Sequence, residues 1–255
     1  MRAVKTPPEV LQDRVAIVTG ASSGLGARFA TVLAEAGAQV VAAARRLERL
    51  QELARSQPRI VPVTCDVADA GDRARLVEAA LALDGRIDIC VNNAGIASGG
   101  PDRQATLEAF SAVMRVNVEA VFALTQEVAT HMLARGAGSV INVSSMFGLV
   151  ASTPVPDAPY VASKSALNGL TRELANQWAA HGVRVNAIAP GWFATEMNTE
   201  LLEDERSLRW LQRQCPMGRP GRVDELDGVL LFLASDASSY CTGQVIAVDG
   251  GWTIR

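Results

Sequence analysis

Seven short apolar runs recur along the chain, and each is rich in valine, isoleucine or alanine. Within a run the apolar residues are continuous rather than alternating with polar ones, which is typical of strands covered on both faces in a parallel sheet. The pattern therefore predicts seven strands, at residues 14–20, 38–44, 59–63, 86–95, 138–145, 182–190 and 243–251.

Longer segments with Ala, Leu, Glu and Arg at helical spacing separate these runs. Gly37 follows the first segment where a C-terminal cap is expected, and Thr106 precedes another as an N-cap would. Regular alternation of strands and helices indicates an α/β protein. We predict a single Rossmann-type domain over residues 1–255, doubly wound, with a seven-stranded parallel sheet and helices on both faces. The predicted helices are residues 24–36, 46–55, 70–83, 106–134, 158–180 and 223–235.

The stretch from Met197 to Met217 departs from this pattern because it is polar and rich in Glu and Arg. It lies between the end of a predicted strand and the next predicted helix. Long insertions at such positions are often functional loops that cover a site. We therefore expect a mobile substrate lid at about residues 192–217.

The composition narrows the class of protein. Of the 255 residues, 49% are hydrophobic and 20% are charged, which fits a well-packed globular protein and argues against disorder. The net charge of −3 comes from interspersed acidic and basic residues, so we expect no nucleic-acid partner and no membrane partner. No apolar run of ~18 residues is long enough to span a membrane, and no N-terminal stretch resembles a signal peptide. We expect a cytoplasmic protein.

The cysteines and histidines do not suggest a disulfide framework or a metal site. The four cysteines have no short paired spacing, so we expect buried free thiols at Cys65, Cys90, Cys215 and Cys241. The two histidines have no partner at a spacing typical of metal ligands; they are His131 and His181.

The first predicted strand leads into the sequence TGASSGLG, which opens the first predicted helix. Glycines at this position allow a sharp turn and let backbone amides approach a pyrophosphate at the helix N-terminus, whose partial positive charge favours anions. Glycines that only turn the chain are the alternative. We predict a dinucleotide-binding turn formed by Gly20, Ser22, Ser23, Gly24, Leu25 and Gly26.

The second predicted strand ends in Ala44, Arg45 and Arg46, where dinucleotide folds often carry an acid that binds the ribose 2′-hydroxyl. A carboxylate would repel a 2′-phosphate, whereas a guanidinium is a bidentate partner for it. We therefore expect NADP(H) as the preferred cofactor, with NAD(H) as the alternative, and assign Arg45 to the phosphate. We expect Arg46 to face solvent at the start of the second helix.

Two further strand ends carry candidate cofactor contacts. Asp66, with Val67 beside it, is expected either to accept a hydrogen bond from the adenine amino group or to cap the next helix. The sequence NNAG ends the fourth predicted strand, and its small residues suit a backbone close to the cofactor, although such residues also make ordinary turns. We include Asn93, Ala94 and Gly95 in the predicted cofactor site.

A tyrosine and a lysine four residues apart follow the fifth predicted strand. Tyr160 and Lys164 share one face of a predicted helix, because residues i and i+4 are neighbours on a helix surface. Ser144 and Ser145 end the strand at the carboxyl edge, where open α/β sheets bind ligands, and the helix brings the tyrosine back over that edge. On its own, the pair would be an ordinary surface pair.

The ordered set TGASSGLG, NNAG, a serine after the fifth strand and YVASK resembles the short-chain dehydrogenase/reductase family, over nearly the whole chain. The resemblance implies a catalytic tetrad of Asn117, Ser145, Tyr160 and Lys164, and it favours the second serine of the pair over the first. It also implies that Tyr160 and Lys164 contact the cofactor.

The same resemblance assigns roles to two C-terminal motifs. It implies that the sequence PGWFAT holds the nicotinamide carboxamide, through Pro190, Gly191, Phe193 and Thr195. It implies that the sequence VDGG belongs to the subunit interface of a homotetramer.

The implied activity is hydride transfer between a nicotinamide and a secondary alcohol or ketone. A free tyrosine has a pKa of about 10, so we expect Lys164 to lower the pKa of Tyr160. Ser145 would donate to the developing alkoxide, and Asn117 would support Lys164 through water. The resemblance extends to members that act on 3-oxoacyl carriers, on sugar acids of the gluconate type, or on steroids and small ketones.

Three alternatives remain at this point. One is a catalytically idle dinucleotide-binding regulator, and another is an NAD-dependent dehydrogenase of sugar acids or alcohols. A methyltransferase of related fold is the third, although Ala44 and Arg45 replace the acid that would bind its cofactor's ribose.

Overall fold

The computed structural model describes residues 10–98, 105–195 and 204–254. The seven predicted strands are present as β1 (Val15–Thr19), β2 (Gln39–Ala44), β3 (Ile60–Thr64), β4 (Ile89–Asn92), β5 (Gly138–Val143), β6 (Val183–Pro190) and β7 (Val245–Val248). All neighbouring strands are parallel, in the order β3-β2-β1-β4-β5-β6-β7. The described residues form the predicted Rossmann-type fold, and the strand order reverses between β1 and β4, where such folds open a ligand crevice.

Several strands are shorter than predicted at their carboxyl ends. β4 stops at Asn92, three residues before the predicted end, because the amide of Asn93 donates to the carbonyl of Val91 and leaves the ladder. The polar and small residues beyond the strands are therefore available to form the edge of a site.

The helices of the described residues are α1 (Gly24–Glu35), α2 (Leu47–Ser56), α3 (Ala70–Asp84), α4 (Leu107–Met114), α5 (Ala120–Arg135), α6 (Ala158–Trp178), α7 (Glu205–Gln214) and α8 (Asp227–Ala234). The predicted caps are confirmed. Gly37 adopts a positive φ of 106° just after α1, and the Thr106 hydroxyl accepts a hydrogen bond from the Ala109 amide at 3.2 Å.

The predicted helix at 106–134 is not continuous. A π-helical segment, Arg115–Glu119, separates α4 from α5. A π-helical turn inserts one residue without breaking the chain of apolar positions, so the sequence pattern does not reveal it. Such segments are frequent at functional sites.

Part of the predicted lid is helical. α7 was not predicted, because its sequence is dominated by charged and polar residues and only Leu211 is buried. Residues 196–203, including Met197, lie outside the described residues. The mobility of the lid remains a prediction.

Apolar side chains cover both faces of the sheet. One face packs against α1 and α8, through side chains that include Val18, Val40, Phe29, Leu33 and Leu230. The other packs against α3 and α5, through side chains that include Ile17, Val41, Cys90, Leu76 and Leu124. Burial on both faces explains why the strands are continuously apolar.

The structure also bears on the expectations for the cysteines, for metal sites and for membrane spans. The four cysteines are free thiols; Cys241 is partly exposed, and the other three are buried. Within the described ranges, no group of His, Cys, Asp and Glu side chains is arranged to hold a metal ion. In the same ranges, each helix is too short or too polar to cross a membrane.

Candidate active site

The predicted site residues lie at the carboxyl edge of the sheet, where parallel strands end together. The turn after β1 is tightly packed: a Cβ added at Gly26 would lie 2.3 Å from the Gly20 carbonyl oxygen. Gly20 and Gly24 have positive φ angles of 66° and 53°, which favour glycine. Thr195 closes this turn from the far side, because a Cβ at Gly24 would meet the Thr195 Cβ at 3.4 Å. The turn thus provides a narrow backbone cradle that fits a dinucleotide pyrophosphate.

The remaining residues of the turn have separate contacts. Leu25 packs against the core under α1, which anchors the start of the helix. The hydroxyls of Ser22 and Ser23 accept hydrogen bonds from the Arg46 guanidinium, at 3.2 and 2.7 Å respectively. Our expectation for Arg46 was therefore incomplete: its side chain is exposed, but it folds back over the glycine turn. Arg45 is exposed beside it.

The end of β4 is fastened to the end of β1. Asn93 Nδ2 donates to the carbonyl of Thr19 at 2.9 Å, and the amides of Asn93 and Ala94 both donate to the Thr19 hydroxyl at 3.0 Å. A Cβ added at Gly95 would lie 3.4 Å from Lys164 Nζ. The predicted NNAG segment therefore lies between the glycine turn and the Tyr160 helix.

Asp66 does not cap the helix that follows it. Its side chain accepts a hydrogen bond from the Ala68 amide at 3.0 Å, whereas Asp69 caps α3 by accepting from the Asp72 amide at 2.8 Å. The Val67 carbonyl accepts a hydrogen bond from Arg73 at 2.9 Å. The capping alternative for Asp66 was wrong because α3 begins at Ala70, so its N-cap is Asp69, three residues after Asp66.

The two serines after β5 have different surroundings. The Ser144 hydroxyl donates to the carbonyl of Lys164 at 3.3 Å and ties the strand end to α6. The Ser145 hydroxyl accepts a hydrogen bond from the Phe147 amide at 3.1 Å and forms a side-chain hydrogen bond with Tyr160. Of the two, Ser145 is the one that meets the tyrosine.

Tyr160 and Lys164 lie together on α6, as predicted from their spacing. Lys164 is only 4% exposed, and its Nζ lies 5.5 Å from the centroid of the Tyr160 ring. The ammonium donates to the Val143 carbonyl at 2.8 Å. The site therefore combines a phenol, a hydroxyl and a buried ammonium at the end of β5.

Burial dominates the ionisation of this pair. Burial raises the pKa of Tyr160 above its usual value, the hydrogen bond with Ser145 opposes the rise, and the negative charge of Asp157 adds to it. Burial also lowers the pKa of Lys164 to about 8. We predicted a lowered phenol pKa, and the structure has the opposite direction, because burial of the phenol raises its pKa more than the hydrogen bond with Ser145 lowers it. A phenol with a raised pKa is neutral at physiological pH, so the Tyr160 side chain carries a proton that it is able to donate.

Asn117 lies in the π-helical segment and is 1% exposed. Its Oδ1 accepts a hydrogen bond from the Ile96 amide at 2.9 Å. Its Nδ2 donates to the Ile96 carbonyl at 2.8 Å and to the Ser163 hydroxyl at 3.0 Å. Asn117 thus joins the segment after β4 to α6 directly.

The PGWFAT segment runs along the C-terminal part of the sheet edge. Pro190 pairs with Val248 at the end of β6, and the Gly191 amide donates to the Val248 carbonyl at 2.9 Å. Phe193 is buried and forms an isolated bridge with Gly221. The segment is held between β7 and the glycine turn.

Aromatic side chains form a wall next to Ser145. Phe147 and Trp192 make an edge contact with centroids 5.7 Å apart. Trp252 continues the wall, 6.1 Å from Trp192 and 5.5 Å from Trp210 of α7. With buried Met146, these rings form an apolar side of the site.

Sequence reasoning missed three polar residues that shape this site: Thr19, Ser98 and Asp157. The Asp157 carboxylate accepts hydrogen bonds from the Tyr160 amide at 3.0 Å and from the Ser98 hydroxyl at 2.8 Å. An aspartate three residues before a helical position is a recognisable N-cap signal, which was available for Asp157. The roles of Thr19 and Ser98 depend on contacts between distant segments, which no local pattern shows.

Known proteins share this fold and much of this sequence. A family model described as enoyl-(acyl carrier protein) reductase matches residues 20–253. The 2-dehydro-3-deoxy-D-gluconate 5-dehydrogenase of Dickeya dadantii is 40% identical over 248 residues, covering 96% of this chain and 97% of the relative. The gluconate 5-dehydrogenase of Gluconobacter oxydans is 40% identical over 243 residues, covering 94% of each chain.

A solved structure agrees with these matches. The crystal structure of a gluconate 5-dehydrogenase from Burkholderia cenocepacia, in complex with NADP and tartrate, has a TM-score of 0.89 and 40% identity, covering 96% of this chain and 97% of that one. The chain therefore belongs to the short-chain dehydrogenase/reductase family and is an NAD(P)-dependent oxidoreductase acting on CH–OH groups.

Proposed function

We propose that this protein is an NADP(H)-preferring oxidoreductase that interconverts a ketone and a secondary alcohol on a sugar acid. The observation that carries the proposal is the convergence of Ser145, Tyr160 and Lys164 at the sheet edge that also bears the glycine turn. Cofactor binding alone does not require a neutral phenol beside a hydroxyl, so this convergence argues against an idle regulator.

The proposed chemistry follows from the donors present. In reduction, Tyr160 gives its phenolic proton to the substrate carbonyl oxygen, and the Ser145 hydroxyl donates a hydrogen bond to the same oxygen. The nicotinamide, when bound, supplies the hydride that the carbonyl carbon receives. The proton and the hydride together convert C=O to CH–OH. In oxidation the phenolate accepts the proton from the alcohol.

Lys164 and Asn117 support these steps. The Lys164 ammonium is the donor for the nicotinamide ribose hydroxyls, and it adds positive charge beside the phenol. Asn117 holds the segment that passes next to Lys164, which is supported by its hydrogen bonds to Ile96 and Ser163.

Proposed cofactor contacts extend from the glycine turn across the edge. The tight backbone of the turn supports pyrophosphate binding, and the exposed guanidinium of Arg45, with Arg46 beside it, supports a contact to the 2′-phosphate. The full proposed set is Gly20, Ser22, Ser23, Gly24, Leu25, Gly26, Arg45, Asp66, Val67, Asn93, Ala94, Gly95, Tyr160, Lys164, Pro190, Gly191, Phe193 and Thr195.

The sugar-acid assignment is supported by the names of the relatives, two of which are gluconate-type dehydrogenases. A solved relative was crystallised with NADP and tartrate, which is a hydroxy acid. We infer the same substrate class for this chain.

The test is an assay with purified protein and four substrate groups: 5-keto sugar acids, neutral keto sugars, small ketones and an oxoacyl thioester. NADPH and NADH consumption is followed with each. We expect the highest kcat/KM with a keto sugar acid and NADPH. A higher kcat/KM with an oxoacyl thioester or a small ketone would refute the substrate class.

The Tyr160→Phe variant separates catalysis from binding. We expect its turnover to fall by ~10³-fold or more, because the proton donor is lost. Its NADPH affinity, measured by fluorescence titration, should stay within a few-fold of the wild-type affinity. Unchanged turnover in this variant would refute the assigned proton donor.

Three further expectations belong to the same proposal. We infer a homotetramer, which light scattering after size-exclusion chromatography tests, and a cytoplasmic location, which cell fractionation tests. The free cysteines are consistent with a reducing compartment. We also infer that residues 192–217 act as a substrate lid, and hydrogen exchange with and without ligand measures this.

A further inference from the structure

One carboxylate joins two segments of the site that lie far apart in sequence. Asp157 Oδ1 accepts hydrogen bonds from the Tyr160 amide at 3.0 Å and from the Ser98 hydroxyl at 2.8 Å, and its Oδ2 accepts one from the Ser98 amide at 3.1 Å. The Asp157 amide in turn donates to the Ser152 hydroxyl at 3.0 Å. Asp157 therefore connects the start of α6 to the chain that follows β4.

The segment held in this way is also held at its other end. Asn117 pairs with both the amide and the carbonyl of Ile96, two residues before Ser98. Gly95, the next residue back, has so little space that an added Cβ would lie 3.3 Å from Asn117 Oδ1. The chain from Gly95 to Ser98 is thus fixed at both ends where it passes the Lys164 ammonium.

Asp157 also carries charge next to the reacting phenol. The described groups that act on Tyr160 are the Ser145 hydroxyl, the Lys164 ammonium on the same helix and the Asp157 carboxylate, while Asn117 and Ser163 on the facing side are neutral. Within the described ranges, Asp157 has no basic side chain at ion-pair distance. No opposite side-chain charge therefore faces this carboxylate at that distance, and its negative charge raises the pKa of the Tyr160 phenol.

We propose that Asp157 is a positioning residue of the reaction: its carboxylate fixes the Tyr160 end of α6 to the Ser98 segment and places a negative charge near the phenol. It transfers no proton itself. The proposal rests on the proposed function for its catalytic meaning, but its effect on Tyr160 can be measured without turnover.

The chain offers a direct spectroscopic test because it contains only two tyrosines. Tyr240 is fully exposed, so the Tyr240→Phe variant leaves Tyr160 as the only tyrosine whose ionisation is observed. Tyrosinate absorbance, or NMR of ¹³C-labelled tyrosine, then follows Tyr160 as the pH is raised. In this background, Asp157→Asn should shift the onset of ionisation down by roughly half a pH unit or more.

Two further variants separate the effect of the Asp157 charge from the effect of its hydrogen bonds. Ser98→Ala keeps the Asp157 charge but removes one of its hydrogen bonds, so it should leave the Tyr160 titration unchanged while lowering kcat by several-fold. Asp69→Asn, which alters the cap of α3, is a matched control and should change neither quantity. Circular dichroism of each variant verifies that α6 remains folded.

The outcomes distinguish this proposal from the proposed function. If Asp157→Asn leaves the Tyr160 onset where it was, the proposal is overturned, whatever the activity. If the onset shifts but the wild-type protein reduces no ketone with NADPH, the electrostatic role stands and the proposed function fails. In an active enzyme, the alkaline rise of alcohol oxidation should move to lower pH in Asp157→Asn and stay in place in Ser98→Ala.

Discussion

Each edge of the sheet buries a charged group, but the two groups differ in how many partners of opposite charge surround them. At the amino edge, Asp88 is surrounded by donors: the Val15 amide at 2.8 Å, Arg86 and Arg135 each at 2.8 Å, and Arg14 at 3.5 Å. At the carboxyl edge, Lys164 is equally buried, yet no carboxylate of the described residues lies within ion-pair distance of it.

The difference in partners distinguishes a charge that stabilises the fold from one that serves the candidate site. Burial on its own raises the pKa of Asp88, but the hydrogen bonds from Arg86, the Val15 amide and Arg135 outweigh it and hold that pKa below its usual value. The buried ammonium of Lys164 has only a carbonyl as acceptor, and burial lowers its pKa to about 8. A paired charge stabilises the fold, whereas an incompletely paired one is free to interact with a ligand.

The largest expected effect comes from removing the ammonium at the carboxyl edge. Lys164→Met should reduce turnover by ~10³-fold or more, since the proposed ribose contact and the positive charge beside Tyr160 are both lost. Its free energy of unfolding should be unchanged or higher, because a buried ammonium without a carboxylate is costly. Steady-state kinetics and urea denaturation measure the two quantities. Turnover within tenfold of wild type would contradict the assigned role.

The two serines at the end of β5 provide a matched pair. Ser145→Ala should lower kcat by ~10²- to 10³-fold, because the proposed donor to the developing alkoxide is removed. Ser144→Ala loses only the hydrogen bond to the Lys164 carbonyl and should keep kcat within a few-fold. The reverse ranking would show that the wrong serine was assigned.

At the amino edge we expect a large effect on stability and little effect on turnover. Asp88→Asn should lower the free energy of unfolding by about 3 kcal/mol, with kcat nearly unchanged, because a buried charge network loses its centre. Asp84→Asn, a control on an exposed carboxylate 3.9 Å from Arg86, should cost less than about 0.5 kcal/mol. Since the folded pKa of Asp88 is lowered, its contribution is present at neutral pH and is lost as the pH falls through that pKa. Equal free energies of unfolding for Asp88→Asn and Asp84→Asn would refute the stabilising role of Asp88.

A smaller effect concerns cofactor choice. Arg45→Ala should raise the KM for NADPH tenfold or more and leave that for NADH nearly unchanged, because a charge-assisted contact of about 1.5–3 kcal/mol is lost. Arg46→Ala disturbs the hydroxyls of Ser22 and Ser23, so it should weaken both cofactors modestly. An equal change for both cofactors in Arg45→Ala would remove the argument for a phosphate contact.

The pH dependence should also differ between the edges. Because the pKa of Lys164 is about 8, the kcat/KM for reduction should decline as the pH rises through about 8, while the raised pKa of Tyr160 keeps the phenol protonated there. Above that pH the folded protein has lost a proton that the unfolded chain retains, so the Lys164 contribution to stability rises with pH. A reduction profile flat to pH 10 would contradict the buried ammonium.

Much of the fold was predictable from local pattern, and the failures have physical causes. Continuous apolar runs predicted all seven strands, because burial on both faces leaves few polar positions. α7 was missed because seven of its ten residues are charged or polar, so the segment resembled a loop. The π-helical segment around Asn117 was missed because its backbone change leaves the apolar spacing nearly intact.

The features of the candidate site likewise divide into those that local sequence predicts and those that it does not. The sequence by itself determined the glycine turn, the Tyr160 and Lys164 pair and the run of serines after β5, because each depends on residue type at short spacing. Only the tertiary structure decided where Arg46 folds, how Asp157 joins Ser98 to α6, and in which direction the phenol pKa moves. These depend on burial and on contacts between distant segments, which form only when the sheet and helices are packed together.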